Sequence, residues 1–310
     1  MFTSVAVPLT FLGLINVTAG FHVPVPVRAA SQNMRTTTAL NAGADGELSK
    51  VILSSGDCEA EVYTLGGCVS SFKVAGYDYL FIRPDAKLDG SKPISGGLPH
   101  CFPQFGPGVI QQHGFARNLE WSVVDSTPSS VSLKLTNNEE TMAMWPHPFE
   151  CSYKVELMSD KALQTELQVK NTGDSAFDFQ AALHSYFRCS DINKVTISSS
   201  QLDGASYLNK MKDPPVTETL AGEKIVISEP MDRVFTGVSG DVVIDDAGNN
   251  RKLTVSNSEG WSDTVVWNPY GNEGESMGAE NFVCVESAQV QTVGLGAGAT
   301  WTGKMKLLPA

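Results

Sequence analysis

Two polar residues, His184 and Glu286, stand inside apolar runs typical of β-strands and could together perform acid–base chemistry. His184 lies in AALHSYF (181–187), and Glu286 ends the run FVCVE (282–286). Burying a polar side chain in such a run costs free energy unless the group has a partner or a chemical task. Histidine titrates near neutrality, and desolvation raises the pKa of a carboxyl group, which suits a base. These residues alone leave two other readings open, a structural histidine and a glutamate paired with an arginine.

The segment 83–121 is the second chemically informative feature. It contains five prolines, six glycines, two histidines and two arginines in 39 residues, with almost no regular apolar period. Glycine allows close backbone approach, proline stiffens the path, and a rigid irregular segment usually holds polar side chains at a site. The side chains on offer are Gln104, Gln112, His113 and Arg117. They suit a ligand that is rich in hydroxyl groups and carries an anion.

Alternating apolar and polar residues after residue 47 predict β-strands that would position these groups. In LQTELQV (163–169) every second residue is apolar, which is the period of a strand with one buried face. The alternation recurs at 131–135, 151–157, 253–255 and 301–307, turn-forming clusters lie at 171–174 and 245–250, and no 12-residue stretch has a helical period. The sequence therefore predicts an all-β fold, a large antiparallel β-sandwich formed by a single domain at 48–310.

The charge of the chain restricts its partners. The formal net charge of -12 argues against nucleic acid or an anionic membrane as a partner. A phosphorylated ligand would be repelled at long range, so its site needs locally concentrated Arg and Lys. Arg83, Lys87, Lys92 and Arg117 in the irregular segment could supply that charge.

Cysteine spacing gives no sign of a metal site or a disulfide framework. The six cysteines form no CxxC pair, and no histidine stands at zinc-ligand spacing from them. A chain of 310 residues needs no disulfides to build a core. We expect all six to be small buried residues in a reducing compartment, namely Cys58, Cys68, Cys101, Cys151, Cys189 and Cys284.

Residues 1–47 have the composition of a targeting presequence that is removed or disordered. No acidic residue precedes Asp45, an apolar run of 13 residues spans 5–17, and small residues follow at 18–20. Phe21 comes next, followed by a stretch rich in Ser, Thr and Arg. The order resembles the bipartite plastid presequence of algae with complex plastids, with secretion as the alternative address. The apolar run is too short to span a membrane.

Five blocks in order carry a resemblance to a known family. They are KLDGSKPISGGLPHCFPQFGP followed by QHGFARNLEW, then ALHSYF (182–187), MDRVF (231–235), VVWNPY (265–270) and MGAENFVCVESA (277–288). Together they resemble the hexose-6-phosphate mutarotases, a branch of the aldose 1-epimerase superfamily, from about residue 46 to the C-terminus. The resemblance implies a galactose mutarotase-like supersandwich with its active site on the concave face of a sheet.

The resemblance also implies a reaction, the interconversion of the α and β anomers of hexose 6-phosphate, with glucose 6-phosphate as the expected substrate. One group must take the proton of the C1 hydroxyl while another protonates the ring oxygen. In this superfamily the histidine of the H-[ST]-Y-F block is the acid, which assigns His184, and the VESA block assigns Glu286 as the base. The chemistry requires no cofactor and no metal.

Further roles are implied by the matched blocks. Gln112 and His113 are expected to hydrogen-bond sugar hydroxyls. Asp232 is expected to fix hydroxyls or orient His184. Arg117 is expected to meet the phosphate, to which a guanidinium offers bidentate contacts.

One position departs from the family pattern. Relatives often have arginine before the Gly-Gly of the first block, where this chain has Ser95, so Arg83 or Lys92 would have to replace that phosphate contact. The departure keeps an epimerase of unphosphorylated aldoses as the alternative. A catalytically silent sugar-binding β-sandwich is a third candidate, but it would need no acid–base pair. We expect a monomer whose partner is a small sugar phosphate.

Overall fold

The predicted strands form antiparallel sheets in the computed structural model, which describes residues 40–41 and 48–310. The first sheet has five strands that pair in sequence order, β1 (Leu40–Asn41), β2 (Lys50–Ser55), β3 (Cys58–Tyr63), β4 (Val69–Val74) and β5 (Tyr77–Asp78). Most of the predicted presequence, 1–39 and 42–47, lies outside the described residues. Its two described residues pair with β2, Leu40 opposite Val51 and Asn41 opposite Lys50.

The second sheet has nine strands. They are β7 (Ser122–Thr127), β8 (Ser130–Thr136), β9 (Phe149–Leu157), β10 (Leu163–Asn171), β13 (Val195–Ser198), β16 (Lys224–Val226), β18 (Asp241–Asp246), β19 (Arg251–Glu259) and β22 (Thr300–Pro309). Their spatial order is β16-β13-β18-β19-β22-β10-β9-β8-β7. The alternation predicted at 163–169 is confirmed, because buried and part-exposed residues alternate along β10.

The third sheet has eight strands and carries the pocket described below. They are β6 (His100–Cys101), β11 (Phe177–Leu183), β12 (Tyr186–Arg188), β14 (Ser206–Asn209), β15 (Val216–Thr219), β17 (Met231–Phe235), β20 (Asp263–Asn268) and β21 (Phe282–Leu295). The order is β15-β14-β17-β20-β21-β11-β6, and β12 pairs with another part of β21.

Helices contribute little to the described part of the chain. One six-residue helix, α1 (Glu139–Met144), begins at an Asn138 cap whose side chain accepts from the Thr141 amide. The remaining helical turns are of the 3-10 type, at Ala116–Asn118, Ile192–Lys194, Asn272–Met277 and Ala279–Asn281. None of these helices is long and apolar enough to cross a membrane.

One hydrophobic core joins the three sheets. Phe72 of β4, Tyr153 of β9, Phe179 of β11 and Val283 of β21 all belong to it and are almost fully buried. Strands β2 and β3 lie against β8 and β9. Isolated bridges link the five-stranded sheet to the region around the eight-stranded sheet, at Leu80–Phe187 and Val69–Leu98. The predicted all-β sandwich is confirmed, with the nine-stranded sheet as one layer.

Strand β21 shows why an acidic residue can stand in an apolar run. Val283 and Val285 project into the shared core. Phe282 and Cys284 project to the opposite face, where they pack with Tyr186 in a separate cluster. Both faces are therefore covered, so the strand has no polar face in sequence. Glu286 follows the second set and lies at the pocket.

The irregular segment 83–121 is confirmed as largely without regular structure, since it contains only β6 and one 3-10 turn. Gly97 has a positive φ of 68°, and a Cβ there would overlap the Val69 carbonyl oxygen. Gly114 has a φ of 70°, and a Cβ there would overlap the Phe102 carbonyl oxygen. These two glycines let the segment lie tightly against neighbouring backbone, which fixes the loops around the pocket.

Candidate active site

A cavity of about 340 Å³ opens on the face of the eight-stranded sheet that points away from the shared core. This volume is within the range of small-molecule sites. Strand pairing assembles its floor, since Asp232 lies opposite Trp267, Trp267 opposite Cys284, and Cys284 opposite Tyr186. The irregular segment 83–121 supplies much of the wall.

His184 and Glu286 meet at the floor of this pocket. The Glu286 Oε1 atom lies 3.4 Å from Nδ1 of His184, and the side chains are only 2% and 13% exposed. Neither Oε2 of Glu286 nor Nδ1 of His184 has a hydrogen-bond partner among the described residues. Buried polar atoms are rarely left unpaired, so both atoms are available to hydrogen-bond a ligand.

The surroundings shift the pKa values of the two groups in opposite directions. Burial raises the pKa of Glu286 well above its ordinary value, the Asp232 carboxylate adds to the rise, and Lys210 and Arg117 oppose it. Burial lowers the pKa of His184 well below its ordinary value, and positive charge on His113 or Arg117 acts in the same direction. The site thus strengthens a carboxylate as a base and an imidazolium as an acid.

The His184 imidazole is held by its neighbours. Tyr186 stacks on it with a centroid distance of 4.9 Å and an interplanar angle of 12°. Trp267 meets it edge-on at 5.6 Å. The His184 amide donates to the Pro99 carbonyl at 2.9 Å, where the chain leaves β11. These contacts restrict the rotation of the ring.

His113 projects from the irregular segment beside His184, with ring centroids 5.4 Å apart. Its backbone has a φ of 65°, which is unusual for a residue with a side chain. The Gly106 amide donates to Nδ1 of His113 at 3.1 Å, and Sγ of Cys101 lies 3.2 Å from the same atom. Burial lowers the pKa of His113 to about 4, with Arg117 and Lys210 acting in the same direction.

Two basic side chains of the pocket form ion pairs with carboxylates of the protein. Arg83 makes a bidentate contact with Asp85, Nε to Oδ1 at 2.9 Å and Nη2 to Oδ2 at 2.5 Å. Lys210 Nζ lies 3.2 Å from Oδ2 of Asp232, and both side chains are partly buried. Their positive charge is therefore partly neutralised before a ligand enters.

Arg117 and Lys92 line the same pocket without a carboxylate partner among the described residues. Arg117 donates from Nη2 to the Gln112 carbonyl at 2.9 Å, and its buried Nε has no partner in the described part of the chain. An arginine in this position offers an anion both charge and unused donors.

Seven of the eight predicted site residues line the pocket, and the exception is Gln104. The Gln104 amide instead holds its own loop, donating to the Gly106 and Ile110 carbonyls and accepting from the Ile110 amide. The sequence alone could not show whether Gln104 contacts a ligand or its own loop. Ser95, the departure from the family pattern, also lies at the pocket.

The lining residues that the sequence analysis did not assign include Phe105, Tyr186, Trp267 and Lys210. Tyr186 stands two residues after His184, a spacing that places both side chains on one face of a strand, so a signal existed. Lys210 reaches the site because β14 pairs with β17, which carries Asp232. Nothing in the local sequence indicates that pairing.

All six cysteines are buried and unpaired, which confirms the expectation of free thiols. Within residues 40–41 and 48–310, no group of three or more His, Cys, Asp or Glu side chains is placed to hold a metal ion.

Comparisons with known proteins agree with this geometry. The sequence matches the family described as aldose 1-epimerase over residues 49–308. A protein of Cenchrus ciliaris, provisionally named glucose-6-phosphate 1-epimerase, is 35% identical over 84% of each chain. A protein of Escherichia coli K12 with the same provisional name is 29% identical over 78% of this chain and 83% of its own.

Solved structures give the same result. The crystal structure of a provisionally named mutarotase from Salmonella typhimurium superposes with a TM-score of 0.76 and 26% identity, covering 86% of this chain and 92% of its own. A protein from Synechocystis sp. PCC 6803 shares the fold with a TM-score of 0.74 at 22% identity, covering 84% and 95% of the two chains. The chain therefore belongs to the aldose 1-epimerase family.

Proposed function

We propose that this protein interconverts the α and β anomers of hexose 6-phosphates, with glucose 6-phosphate as its main substrate. The observation that carries the proposal is the buried pair of His184 and Glu286, whose atoms lie 3.4 Å apart at the floor of a sugar-sized pocket. A catalytically silent sugar-binding module would gain nothing from burying an unsatisfied carboxylate, which costs about 1–3 kcal/mol or more.

The ring opens by two linked proton transfers. The Glu286 carboxylate takes the proton of the C1 hydroxyl, and the electron pair of that O–H bond forms the C1 carbonyl. The C1–O5 bond breaks, and the His184 imidazolium gives its proton to O5. Because the two reacting oxygens are bonded to the same carbon, neighbouring acid and base groups can reach both.

Ring closure reverses these transfers on the other face of C1. The open-chain aldehyde rotates about the C1–C2 bond, O5 attacks the carbonyl carbon, His184 recovers the O5 proton and Glu286 returns its proton to O1. The pair holds one proton throughout, which resides on His184 when the ring is closed and on Glu286 when it is open. The opposite pKa shifts bring these two arrangements closer in free energy, which favours exchange between them.

Specificity for a phosphorylated sugar is supported by the basic residues of the pocket. Arg117 and Lys92 have no carboxylate partner in the described structure and are available to a phosphate group. Two relatives with glucose-6-phosphate 1-epimerase in their names match most of this chain. With Ser95 in place of arginine, we assign the principal phosphate contact to Arg117.

A comparison of two substrates tests this function. Fresh α-glucose 6-phosphate and fresh α-glucose are each mixed with the protein, and the β anomer is followed with a β-specific coupled dehydrogenase. We expect a kcat/KM at least tenfold higher for the phosphorylated sugar. Equal or faster reaction of free glucose would transfer the protein to the general aldose epimerases, and no acceleration of either would refute an enzymatic function.

We also propose a location and an assembly state. Residues 1–47 would direct the protein to a plastid, residues 48–310 would fold alone, and the folded protein would be a monomer. The support is the absence of acidic residues before Asp45 and the match of the family to 49–308. Fusion of residues 1–47 to a fluorescent protein tests the address, with secretion as the contrary result. Light scattering of the 48–310 fragment tests folding and mass.

A further inference from the structure

The hydrogen bonds around His113 define which of its nitrogens carries the proton. A backbone amide can only donate, and the Gly106 amide lies 3.1 Å from Nδ1 of His113. A proton on Nδ1 would point at that amide hydrogen, so Nδ1 must accept. The Cys101 thiol, 3.2 Å from the same nitrogen, is then the second donor, since a thiol can give a weak hydrogen bond.

We propose that Cys101 is a positioning residue which, with the Gly106 amide, holds His113 as a neutral imidazole with its proton on Nε2. Cys101 is fully buried on β6, and His113 is 7% exposed. The inference rests on the proposed function for its catalytic meaning, but the tautomer itself is a property of the free protein.

As a consequence, the two histidines of the pocket have different roles, and only His184 takes part in proton transfer. Their rings lie 5.4 Å apart, and a positive charge on His113 lowers the pKa of His184. With two donors directed at Nδ1, protonation of His113 would place an N–H against both of them. The proton used in ring opening therefore stays on His184 and its partner Glu286 rather than on His113.

The locked tautomer also defines the contact with the sugar. Nε2 of His113 lies 3.3 Å from the side-chain amide nitrogen of Gln112. Two N–H groups cannot pair, so with the proton on Nε2 the Gln112 amide must turn to present its oxygen. A sugar entering the pocket can accept the same hydrogen through a hydroxyl oxygen. His113 thus acts as a donor to substrate and not as a second acid.

The charges that shift the pKa of His113 act in the same direction as its burial. Arg117 and Lys210 both lower the pKa of His113, and burial is the largest cause of its fall to about 4. The titratable and charged groups around the ring are Cys101, Arg117, Lys210, His184, Asp232 and Glu286.

Nitrogen NMR of the imidazoles tests the proposal without any measurement of activity. The full-length protein is labelled with ¹⁵N-histidine, and long-range correlation spectra are recorded from pH 4 to 8 for wild type, Cys101→Ser and Cys101→Ala. We expect wild-type His113 to be the Nε2–H tautomer, with Cys101→Ser unchanged because its hydroxyl also donates. In Cys101→Ala we expect the pKa of His113 to rise by up to about one unit, because one donor to Nδ1 is lost.

A pH–rate profile links the tautomer to catalysis. If the His113 pKa rises by about one unit from about 4, the ratio of kcat/KM at pH 5 to that at pH 8 falls about twofold in Cys101→Ala. Cys151→Ala is the matched control, since Cys151 is equally buried on β9 and far in sequence from the site. It should leave the tautomer and the pH profile as in wild type.

Two results would overturn the proposal. One is an Nδ1–H tautomer of His113 in the wild-type protein, and the other is a Cys101→Ala protein with unchanged His113 pKa and pH profile. An inactive wild-type protein with the expected tautomer and pKa change would refute the proposed function while leaving the hydrogen-bond lock intact.

Discussion

Replacing Glu286 with glutamine should remove most of the catalysis and stabilise the fold at the same time. Glutamine has nearly the same shape but cannot take the C1 hydroxyl proton. Loss of a general base costs about 10²–10⁴ in rate. We therefore expect the kcat of Glu286→Gln to fall by that factor, with the KM for the sugar phosphate changed far less.

The gain in stability follows from the pKa of the carboxyl group. Because burial raises the pKa of Glu286 in the folded state above its ordinary value of 4.5, its contribution is favourable below pH 4.5 and is lost as the pH rises towards the folded-state value. Each pH unit above 4.5 costs about 1.4 kcal/mol until that value is reached, which limits the cost at pH 7 to about 3 kcal/mol. Glutamine does not titrate and avoids this cost.

Chemical denaturation of wild type and Glu286→Gln at pH 4.5 and pH 7 measures the effect. We expect similar free energies of unfolding at pH 4.5 and an advantage of about 1–3 kcal/mol for the variant at pH 7. Glu156→Gln is the control, because this partly exposed glutamate pairs with Lys154 at the surface and should change stability by less than about 1 kcal/mol. A Glu286→Gln protein that keeps a tenth of its activity, or is less stable at pH 7, would refute the reasoning.

Three further outcomes are expected. Arg117→Ala should raise the KM for glucose 6-phosphate about 10- to 100-fold, by removing a charged hydrogen bond of about 1.5–3 kcal/mol, without altering catalysis on free glucose; Lys154→Ala should alter neither. Burial lowers the pKa of His100 to about 3, so stability should fall as the pH drops from 6.5 towards 3, and His100→Phe should flatten this part of the curve measured by urea titration. Gly114→Ala should lose several kcal/mol in thermal melts, whereas Gly76→Ala, with positive φ but nothing within 4 Å, should lose about 1 kcal/mol.

The strands were predictable because a strand with one buried face has alternating apolar and polar residues in its sequence. The alternation at 163–169 became β10, and the irregular composition of 83–121 corresponds to a segment that glycines such as Gly97 fit against other backbone. The order in which the strands pair was not predictable. For example, β22 lies between β10 and β19, and no local sequence pattern indicates these neighbours. Long-range pairing depends on the whole core.

The positions of the candidate site residues were predictable where a matched family block contains them, and less predictable elsewhere. His184 and Glu286 stand in matched blocks and meet in the pocket. Gln104 stands in a matched block as well, but its amide is used by its own loop, a contact that depends on the fold of 104–111. Lys210 was missed because cross-strand pairing of β14 with β17 alone brings it to Asp232.

Exchange NMR on glucose 6-phosphate labelled with ¹³C at C1 tests the central claim most directly. At chemical equilibrium the α and β signals exchange only through ring opening, so the cross-peak build-up rate reports anomerisation without a coupling enzyme. We predict that a catalytic amount of wild-type protein raises this rate well above the spontaneous one, and that Glu286→Gln does not. A wild-type rate equal to the spontaneous rate, or a Glu286→Gln rate equal to that of wild type, would contradict the account.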